Sequence, residues 1–309
     1  MSSLQQALES GKFGVTAEMA PPKGYDFSKQ MEDAEILKGL VHGVNVTDMQ
    51  SACLKATSLG LCIKLKQAGL EPILQMTGRD RSRMAIMGEF LTAAAFGIDT
   101  MLALTGDHTV VGDCKESKPV FDLDSCGILR MLTEMEETNK DCGGNDLEGE
   151  APKFYKGASV TPVYEPLILQ INKLRKKVDC GAKYVQTQGI FDVDSLKRFM
   201  DEVDKANIKV HVMAGIIPLK TAGMARYMNA SVPGIDVPEW MMERLSAAAA
   251  EGKEKGVKGL PAKAGIEMAA EMIQKIKEEK ICDGVHLMTI GAEKNIPTIL
   301  EKAGVNINE

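Results

Sequence analysis

A closed parallel (β/α)8 barrel, the TIM-barrel form of the α/β class, is the fold that this sequence predicts. A short apolar run, a polar turn and an amphipathic helical stretch follow one another eight times along the chain. The repeat is roughly 28 residues over the first four units, which is typical of βα units. The alternative is an open doubly wound sheet, but no Gly-x-Gly-x-x-Gly lies between the first strand and its helix. The length of 309 residues suits one such domain, so we expect a single barrel over residues 1–309.

The strands are predicted from β-branched and apolar runs that are bounded by Gly, Pro or polar residues. They cover residues 14–21, 43–48, 72–77, 100–107, 157–162, 183–188, 209–218 and 284–290. The helices are predicted from periodic apolar positions, and some of them end next to a glycine. They cover residues 28–40, 52–67, 82–95, 123–137, 166–180, 193–206, 221–230, 238–249, 262–279 and 293–303. Extra helices therefore precede the eighth strand.

Three stretches fall outside this rhythm. Residues 1–12 are expected to be a lead-in to the first strand. Residues 138–156 form a polar, glycine-containing insertion before the fifth strand, which we interpret as a solvated loop. A lid or a partner-docking surface is the alternative for this insertion. Residues 247–263, rich in Ala, Gly and Lys, are expected to be a helix end and a surface connection.

The composition excludes several classes of function. The formal net charge is -6, and no Lys/Arg stripe is interleaved with aromatic residues, which argues against nucleic-acid binding. The first ten residues do not read as a secretory signal, and no apolar run approaches the roughly 20 residues of a membrane span. The seven cysteines are scattered without a Cys-x-x-Cys pair, which fits reduced thiols and a cytoplasmic protein, and offers no zinc or iron–sulfur ligand set.

The first predicted strand carries a carboxylate close to its end. Glu18 stands among the apolar residues Val15, Ala17, Met19 and Ala20. The carboxyl ends of barrel strands are where catalytic groups usually lie. Apolar surroundings favour the uncharged form of a carboxyl group, which suits a general acid near neutral pH. The alternative is a rim glutamate that pairs with a neighbouring lysine.

The other strand ends add further polar groups to the same predicted rim. Read in chain order, these groups are Thr47 and Asp48, Gln75 and Thr77, Thr105 to His108, Thr161, Gln188, and Gly215 with Pro218. The set contains no Ser-His-Asp or Cys-His arrangement and no zinc pattern. Carboxylates and amides at one rim suit a planar heterocycle whose ring nitrogens and exocyclic amine they can bind.

Each member of this rim also has a structural interpretation. Asp107 can equally be a helix cap or a turn residue after Gly106, and Gln188 can make a structural hydrogen bond. The strand histidines His42, His211 and His286 are interpreted as core residues with satisfied hydrogen bonds. It is the set, more than any one member, that indicates a site.

Several short motifs, in this order and spacing, resemble those of the methylenetetrahydrofolate reductase family. They are Ala17-Glu18 ahead of Pro21-Pro22, Val46-Thr47, Leu104-Thr-Gly-Asp107, Lys173-Leu-Arg-Lys-Lys-Val-Asp-Cys-Gly-Ala182, Gln186-Thr-Gln-Gly-Ile-Phe-Asp192, Gly215-Ile-Ile-Pro218 and Val237-Pro-Glu-Trp-Met241. The resemblance extends from about Phe13 to Leu300. It implies a flavin-containing barrel that reduces 5,10-methylenetetrahydrofolate to 5-methyltetrahydrofolate by hydride transfer from flavin N5.

The resemblance also implies residue roles. Glu18 falls on the general acid that helps protonate N10, so that the five-membered ring opens to an iminium. Asp107 falls on the catalytic aspartate that contacts the pterin near the flavin, and Gln188 falls on the pterin-binding glutamine. The flavin-binding positions are implied to be Thr47, Gln75, Thr105, Gly106, Asp107, Thr161 and Lys176.

The sequence also departs from the family pattern. Thr105 stands where the family has an arginine before Gly-Asp, and Ala222 stands where some relatives have a stacking aromatic residue. Both FAD and FMN therefore stay open as the flavin, and NAD(P)H as the direct donor is in question. These departures favour the form found in anaerobes, reduced through a partner subunit that carries iron–sulfur clusters. A homo-oligomer is also expected to be possible.

Two other functions fit the same rim. One is a barrel methyltransferase that binds a methylated pterin and passes the methyl group to a corrinoid protein, without flavin. The other is a non-catalytic folate-binding or scaffold subunit, in which Glu18 has no essential role.

Overall fold

The computed structural model describes residues 1–307 and contains a closed barrel of eight parallel strands in chain order. The last strand pairs with the first, with Gly14 opposite Gly284 and Ala17 opposite Leu287. The predicted fold class is therefore confirmed. The strands are β1 (Gly14–Met19), β2 (Gly43–Val46), β3 (Pro72–Thr77), β4 (Thr100–Leu104), β5 (Tyr155–Val160), β6 (Tyr184–Gly189), β7 (His211–Ile216) and β8 (Gly284–Leu287).

Helices surround the barrel, and two additional ones stand between β7 and β8, as predicted. Their bounds are α1 (Ser3–Glu9), α2 (Ser28–Leu37), α3 (Ser58–Gln67), α4 (Arg83–Ala95), α5 (Ser125–Thr138), α6 (Leu167–Asp179), α7 (Val193–Lys205), α8 (Ala222–Ser231), α9 (Glu239–Lys255), α10 (Leu260–Glu278) and α11 (Ile296–Lys302). None of the helices in residues 1–307 has the length and apolar character needed to cross a membrane.

Two boundaries differ most from the prediction: α3 was predicted to begin at residue 52 and begins at Ser58, and α9 was predicted to end at residue 249 and ends at Lys255. Met49, Ser51 and Ala52 have positive φ values of 47°, 56° and 55°. Side chains rarely adopt this left-handed backbone, and it cannot continue a right-handed helix. The helix begins only after Thr57, whose side chain accepts the backbone N–H of Gly60.

The strands divide their side chains between two faces. On β1 the residues Val15, Ala17 and Met19 belong to the apolar layer between the barrel and the helices. Thr16 and Glu18 alternate with them and therefore point into the barrel. The same alternation applies around the barrel, so the interior is formed by every second residue of each strand.

The amino end of the barrel interior is apolar and closed by α1. Leu4 and Leu8 of this helix are buried in one cluster with inward-pointing strand residues, which are Ile73, Leu102, Tyr155, Tyr184 and Met213. The helix lies in the predicted lead-in 1–12 and was not itself predicted, although Leu4, Ala7 and Leu8 have helical spacing behind the capping residue Ser2.

The insertion 138–156 lies at the amino end of the barrel, between the end of α5 and the start of β5. Asp141 organises it by accepting the backbone N–H groups of Gly143 and Asn145. Because the catalytic mouth of a parallel barrel is at the carboxyl ends of its strands, this insertion is not a lid over that mouth. The long connection at the mouth is instead residues 105–124, between β4 and α5.

Candidate functional site

The candidate site is the mouth of the barrel at the carboxyl ends of the strands, with the barrel interior directly beneath it. All of the predicted rim residues lie on strand ends or on the loops that follow them. A cavity of about 900 Å³ lies away from the mouth, at the amino end of the barrel, and is lined by Tyr155, Lys183, His211 and Asp283 among others. It contains none of the predicted site residues.

Glu18 is nearly buried at this mouth, with 12% of its side chain exposed. Its surroundings differ from those that the sequence suggested, because Val15, Ala17 and Met19 point to the opposite face of β1. The carboxylate instead shares the interior with polar groups. Its Oε2 lies 3.8 Å from Nε2 of the buried His286. The apolar environment inferred from chain neighbours is therefore wrong.

A network of four buried side chains fills the layer below Glu18. Asn45 and Gln186 exchange two amide hydrogen bonds of 2.7 and 3.0 Å. Gln186 Nε2 also donates to Thr16 Oγ1 at 3.2 Å, and Thr16 Oγ1 lies 2.9 Å from His286 Nδ1. Polar groups in a barrel interior have to be paired in this way, because unpaired ones cost free energy.

Sequence reasoning missed this network and assigned His286 to the core. The signal that could have found it is the period-2 alternation of the strands. Each of three members stands two residues before a rim position on the same strand: Thr16 before Glu18, Asn45 before Thr47, and Gln186 before Gln188. In a closed barrel these positions must point inward, one layer below the rim.

A buried ion pair holds the mouth together at β2 and β3. Asp48 accepts two hydrogen bonds from Arg81, of 2.7 and 3.1 Å, and two more from the backbone and hydroxyl of Thr77. Arg81 also donates to Glu89 at 2.7 Å. Burial alone would lower the pKa of the Arg81 guanidinium, but the charges and hydrogen bonds of Asp48 and Glu89 together outweigh it and raise that pKa. Asp48 therefore has a structural role, because it ties the end of β2 to Thr77 and Arg81.

Arg79 supports the turn that carries Asp107. The guanidinium is buried, donates to the Asp80 carboxylate at 2.7 Å and to the backbone oxygen of Asp107 at 3.3 Å. Gly106 has a φ of 89° and packs closely against Arg79 and Thr77, where a Cβ atom would lie 3.1 Å from each of their Cβ atoms. A glycine is needed here, and Asp107 beyond it is exposed at the mouth.

Within residues 1–307, two buried hydroxyls at the mouth have no hydrogen-bond partner. They are Thr47 Oγ1, directly after β2, and Thr289 Oγ1, shortly after β8. Since β2 and β8 are the two neighbours of β1, these hydroxyls flank the strand that carries Glu18. Gln75 is also buried, on β3, as the predicted site requires. Unpartnered buried hydroxyls at a mouth indicate a place where a ligand can supply the missing hydrogen bonds.

The predicted positions Gln188 and Thr161 lie close together on the β5–β6 side. Gln188 is half-buried and its amide donates to the backbone oxygen of Pro233 at 3.4 Å. A Cβ atom on Gly234 would lie 2.4 Å from Thr161 Cγ2 and 3.7 Å from Gln188 Cγ. The loop between α8 and α9 therefore covers this part of the mouth, a contact that the sequence did not indicate.

Two predicted cofactor positions are less well placed. Thr105 is exposed, and its hydroxyl accepts the backbone N–H of Ser125 at 3.2 Å, which fastens the loop to the start of α5. Lys176 is exposed on α6. The next residue, Lys177, turns inward instead, and its Nζ donates to the backbone oxygen of Ser159 on β5. Burial lowers the pKa of the Lys177 amine. The inward-facing lysine of this motif is thus Lys177.

Solved structures share this architecture. A Clostridium thermocellum protein that binds two copies of 5-methyl-5,6,7,8-tetrahydrofolic acid superposes with a TM-score of 0.65 and 16% identity, covering 97% of this chain and 99% of that one. Mycobacterium tuberculosis tryptophan synthase superposes with a TM-score of 0.53 and 12% identity over 99% of this chain and 98% of that one. At such identities these likenesses concern the fold alone.

Sequence relatives are more specific. The 5,10-methylenetetrahydrofolate reductase of Buchnera aphidicola is 25% identical over 244 residues, which are 76% of this chain and 75% of that protein. Methylenetetrahydrofolate reductase 1 of Schizosaccharomyces pombe is 30% identical over 138 residues, which are 44% of this chain but only 21% of the yeast protein. The sequence model of the methylenetetrahydrofolate reductases matches residues 3–304. From this match over nearly the whole sequence, the chain belongs to the methylenetetrahydrofolate reductase family.

Proposed function

We propose that this chain binds a flavin at the barrel mouth and reduces 5,10-methylenetetrahydrofolate to 5-methyltetrahydrofolate, with Glu18 as the general acid. The observation that carries the proposal is the mouth itself. A nearly buried carboxyl group on β1 lies between two strands that each end in a buried hydroxyl without a partner. Family membership supplies the class of reaction.

The mouth fits a flavin ring by its hydrogen-bonding groups. Thr47 and Thr289 offer buried hydroxyls that lack partners within residues 1–307, and Gln75 is buried on β3, the strand next to β2. Gly106 and Thr161 extend the same rim. We place Lys177, rather than the exposed Lys176, next to the cofactor, because its amine reaches the barrel at the backbone oxygen of Ser159 on β5. The bound flavin supplies the hydride that the side chains of this barrel cannot provide.

The side chains of the chain then have separate tasks. Glu18 gives a proton to N10 of the substrate, which opens the five-membered ring. The exposed carboxylate of Asp107 favours the cationic iminium electrostatically, and Gln188 binds the pterin through its amide. The half-buried position of Gln188 beside the α8–α9 loop supports this role, since the amide stays accessible from the mouth.

The substitution Glu18→Gln tests the acid. It keeps the size of the side chain and removes its proton, so we expect turnover to fall by roughly 10²–10⁴-fold, the usual scale for a general acid. Bound flavin should be unchanged, as measured by absorbance. Glu137→Gln, at an exposed position on α5, is the matched control. Unchanged turnover of the Glu18 variant, or methyl transfer to a corrinoid protein without flavin, contradicts the proposal.

We extend the proposal to the electron donor. Ala222 at the start of α8 offers no ring to stack on a nicotinamide, and Thr105 uses its hydroxyl to fasten a loop. We therefore expect a partner subunit with iron–sulfur clusters to reduce the flavin. Stopped-flow reduction of the isolated chain by NADH should be much slower than turnover of the complex. Rapid reduction of the isolated chain by NADH alone contradicts the proposed iron–sulfur partner. Identification of the extracted cofactor shows whether the flavin is FAD or FMN.

A further inference from the structure

The buried network below Glu18 has a direction that follows from its donors and acceptors. Gln186 Nε2 donates one hydrogen to Asn45 Oδ1 and the other to Thr16 Oγ1. The amide of Asn45 donates back to Gln186 Oε1, so both hydrogen bonds of the amide pair are formed in this orientation. Thr16 Oγ1 therefore accepts a hydrogen bond from Gln186, and its own hydrogen is left for another partner.

That partner is His286 Nδ1, 2.9 Å from Thr16 Oγ1. If the threonine hydroxyl donates, then Nδ1 accepts. A neutral imidazole carries one hydrogen, so this hydrogen must be on Nε2. The Nε2 atom is the one that faces Glu18, at 3.8 Å from Oε2. This gap is longer than a hydrogen bond, and a small movement of either side chain closes it.

We propose that His286 is a positioning residue for Glu18: the Asn45–Gln186–Thr16 network fixes its imidazole so that Nε2–H points at the carboxyl group. The inference rests on the proposed function. When Glu18 protonates the substrate, its O–H bond breaks, an N10–H bond forms, and negative charge develops on the carboxylate. A fixed donor aimed at that oxygen stabilises the charge where it appears, in a site that is largely closed to water.

The alternative is a histidine that only fills the interior and satisfies its own hydrogen bonds. Burial alone does not distinguish the two roles, because His286 is 3% exposed and a filling residue would be buried too. The direction of the network does distinguish them. A histidine that only fills space has no reason to present a hydrogen to Glu18, and its removal should act independently of that residue.

The main test is a double-mutant cycle with Glu18→Gln, His286→Asn and both together. Asparagine can retain the contact with Thr16 but has no group at the Nε2 position. We expect His286→Asn to lower kcat by roughly tenfold to a hundredfold and to change KM by less than about twofold. This loss in kcat is somewhat smaller than the loss expected when a direct oxyanion donor is removed. The double variant should be no slower than Glu18→Gln alone, within about twofold. His286→Gln, which restores a donor near the Nε2 position, should recover part of the activity.

The matched control is His211→Asn, which removes a half-buried strand histidine at the amino end of the barrel. We expect its kcat to stay within about twofold of the wild type. If the losses in kcat of the two single variants multiply in the double variant, the positioning role of His286 is overturned, whereas the proposed role of Glu18 still stands. Unchanged turnover of Glu18→Gln sinks the proposed function itself, so the two failures are distinguishable.

A second measurement does not depend on catalysis. The chain has four histidines, so ¹⁵N-histidine labelling gives a spectrum in which His286 can be assigned from the His286→Asn variant. We expect the cofactor-free protein to show His286 as one neutral tautomer with the hydrogen on Nε2. Thr16→Val should disturb this signal, and Thr16→Ser should preserve it. A hydrogen on Nδ1, or a mixture of the two tautomers, overturns the inference.

Discussion

The hydroxyl of Thr47 is buried at the end of β2 and has no hydrogen-bond partner in the part of the chain that the structure describes. A buried hydroxyl without a partner costs roughly 1–3 kcal/mol of stability relative to an apolar group of the same shape. Such a group is retained when it serves a ligand. Thr47 is therefore the residue at which stability and cofactor binding can be separated.

We expect Thr47→Val to act in opposite directions on these two properties. The free energy of unfolding of the cofactor-free protein should rise by about 1 kcal/mol, because valine removes the unpaired hydroxyl. Flavin binding should weaken roughly tenfold, since one hydrogen bond is lost. Urea denaturation and flavin titration measure the two effects. A variant that is less stable yet binds flavin normally would show that the hydroxyl has a structural partner. Thr57→Val, the same substitution at an exposed helix cap, is the control variant in both measurements.

Elements of the barrel differ in how well the sequence indicated them. The strands and most helices were predicted close to their observed bounds because β-branched runs and caps are local signals. The start of α3 was predicted too early, because three residues with positive φ precede the helix, and α1 was not predicted. The left-handed residues before α3 have no local sequence signal, whereas α1 has one in its cap Ser2 and in the helical spacing of Leu4, Ala7 and Leu8.

The helix α1 closes the amino end of the interior, so its apolar residues should contribute to the stability of the whole barrel. Leu8 is 2% exposed and packs in the same cluster as Tyr155 and Tyr184. We expect Leu8→Ala to lower the free energy of unfolding by roughly 2–5 kcal/mol, as for other fully buried leucines. Leu169→Ala, at a half-exposed position on α6, should change it by less than about 0.5 kcal/mol. Equal effects in urea denaturation would mean that α1 is only loosely attached.

At the scale of the whole molecule, two histidines give stability opposite dependences on pH. The hydrogen bond to Asp283 raises the pKa of His211, against the lowering effect of partial burial. Burial lowers the pKa of His42, which accepts the backbone N–H of Val15 through Nδ1. The stabilising effect of His211 is complete below its ordinary pKa of 6.5 and is lost as the pH rises through the raised value.

For His42 the sign is reversed. The unfolded chain binds a proton more readily than the folded one, so stability falls as the pH drops below 6.5 towards the lowered pKa. We expect His211→Asn to lose stability mainly at acidic pH and to approach the wild type at alkaline pH. His42→Asn should instead reduce the loss of stability on acidification. Urea denaturation between about pH 5.5 and 8.5 measures both slopes, and parallel curves for wild type and variants contradict these shifts.

The candidate site shows where prediction from sequence ends. Glu18, Thr47, Gln75 and Gln188 could be assigned to the mouth because strand ends are visible in the chain and meet in a parallel barrel. The neighbours of Glu18 could not be assigned in the same way. Val15 and Met19 are close to it in sequence but point away, whereas His286 is 268 positions distant and faces it.

The barrel, the family and the rim could be predicted from the sequence, because βα periodicity, strand ends and short motifs are properties of contiguous residues. Which side chains touch became visible only in the folded chain. Glu18 faces a polar network where the sequence suggested an apolar setting, Lys177 and not Lys176 reaches the barrel, and the insertion 138–156 lies at the amino end, which agrees with a solvated loop and excludes a lid over the mouth. The physical reason is that closing the barrel joins β8 to β1, so contacts across its interior depend on register between strands and not on distance along the chain.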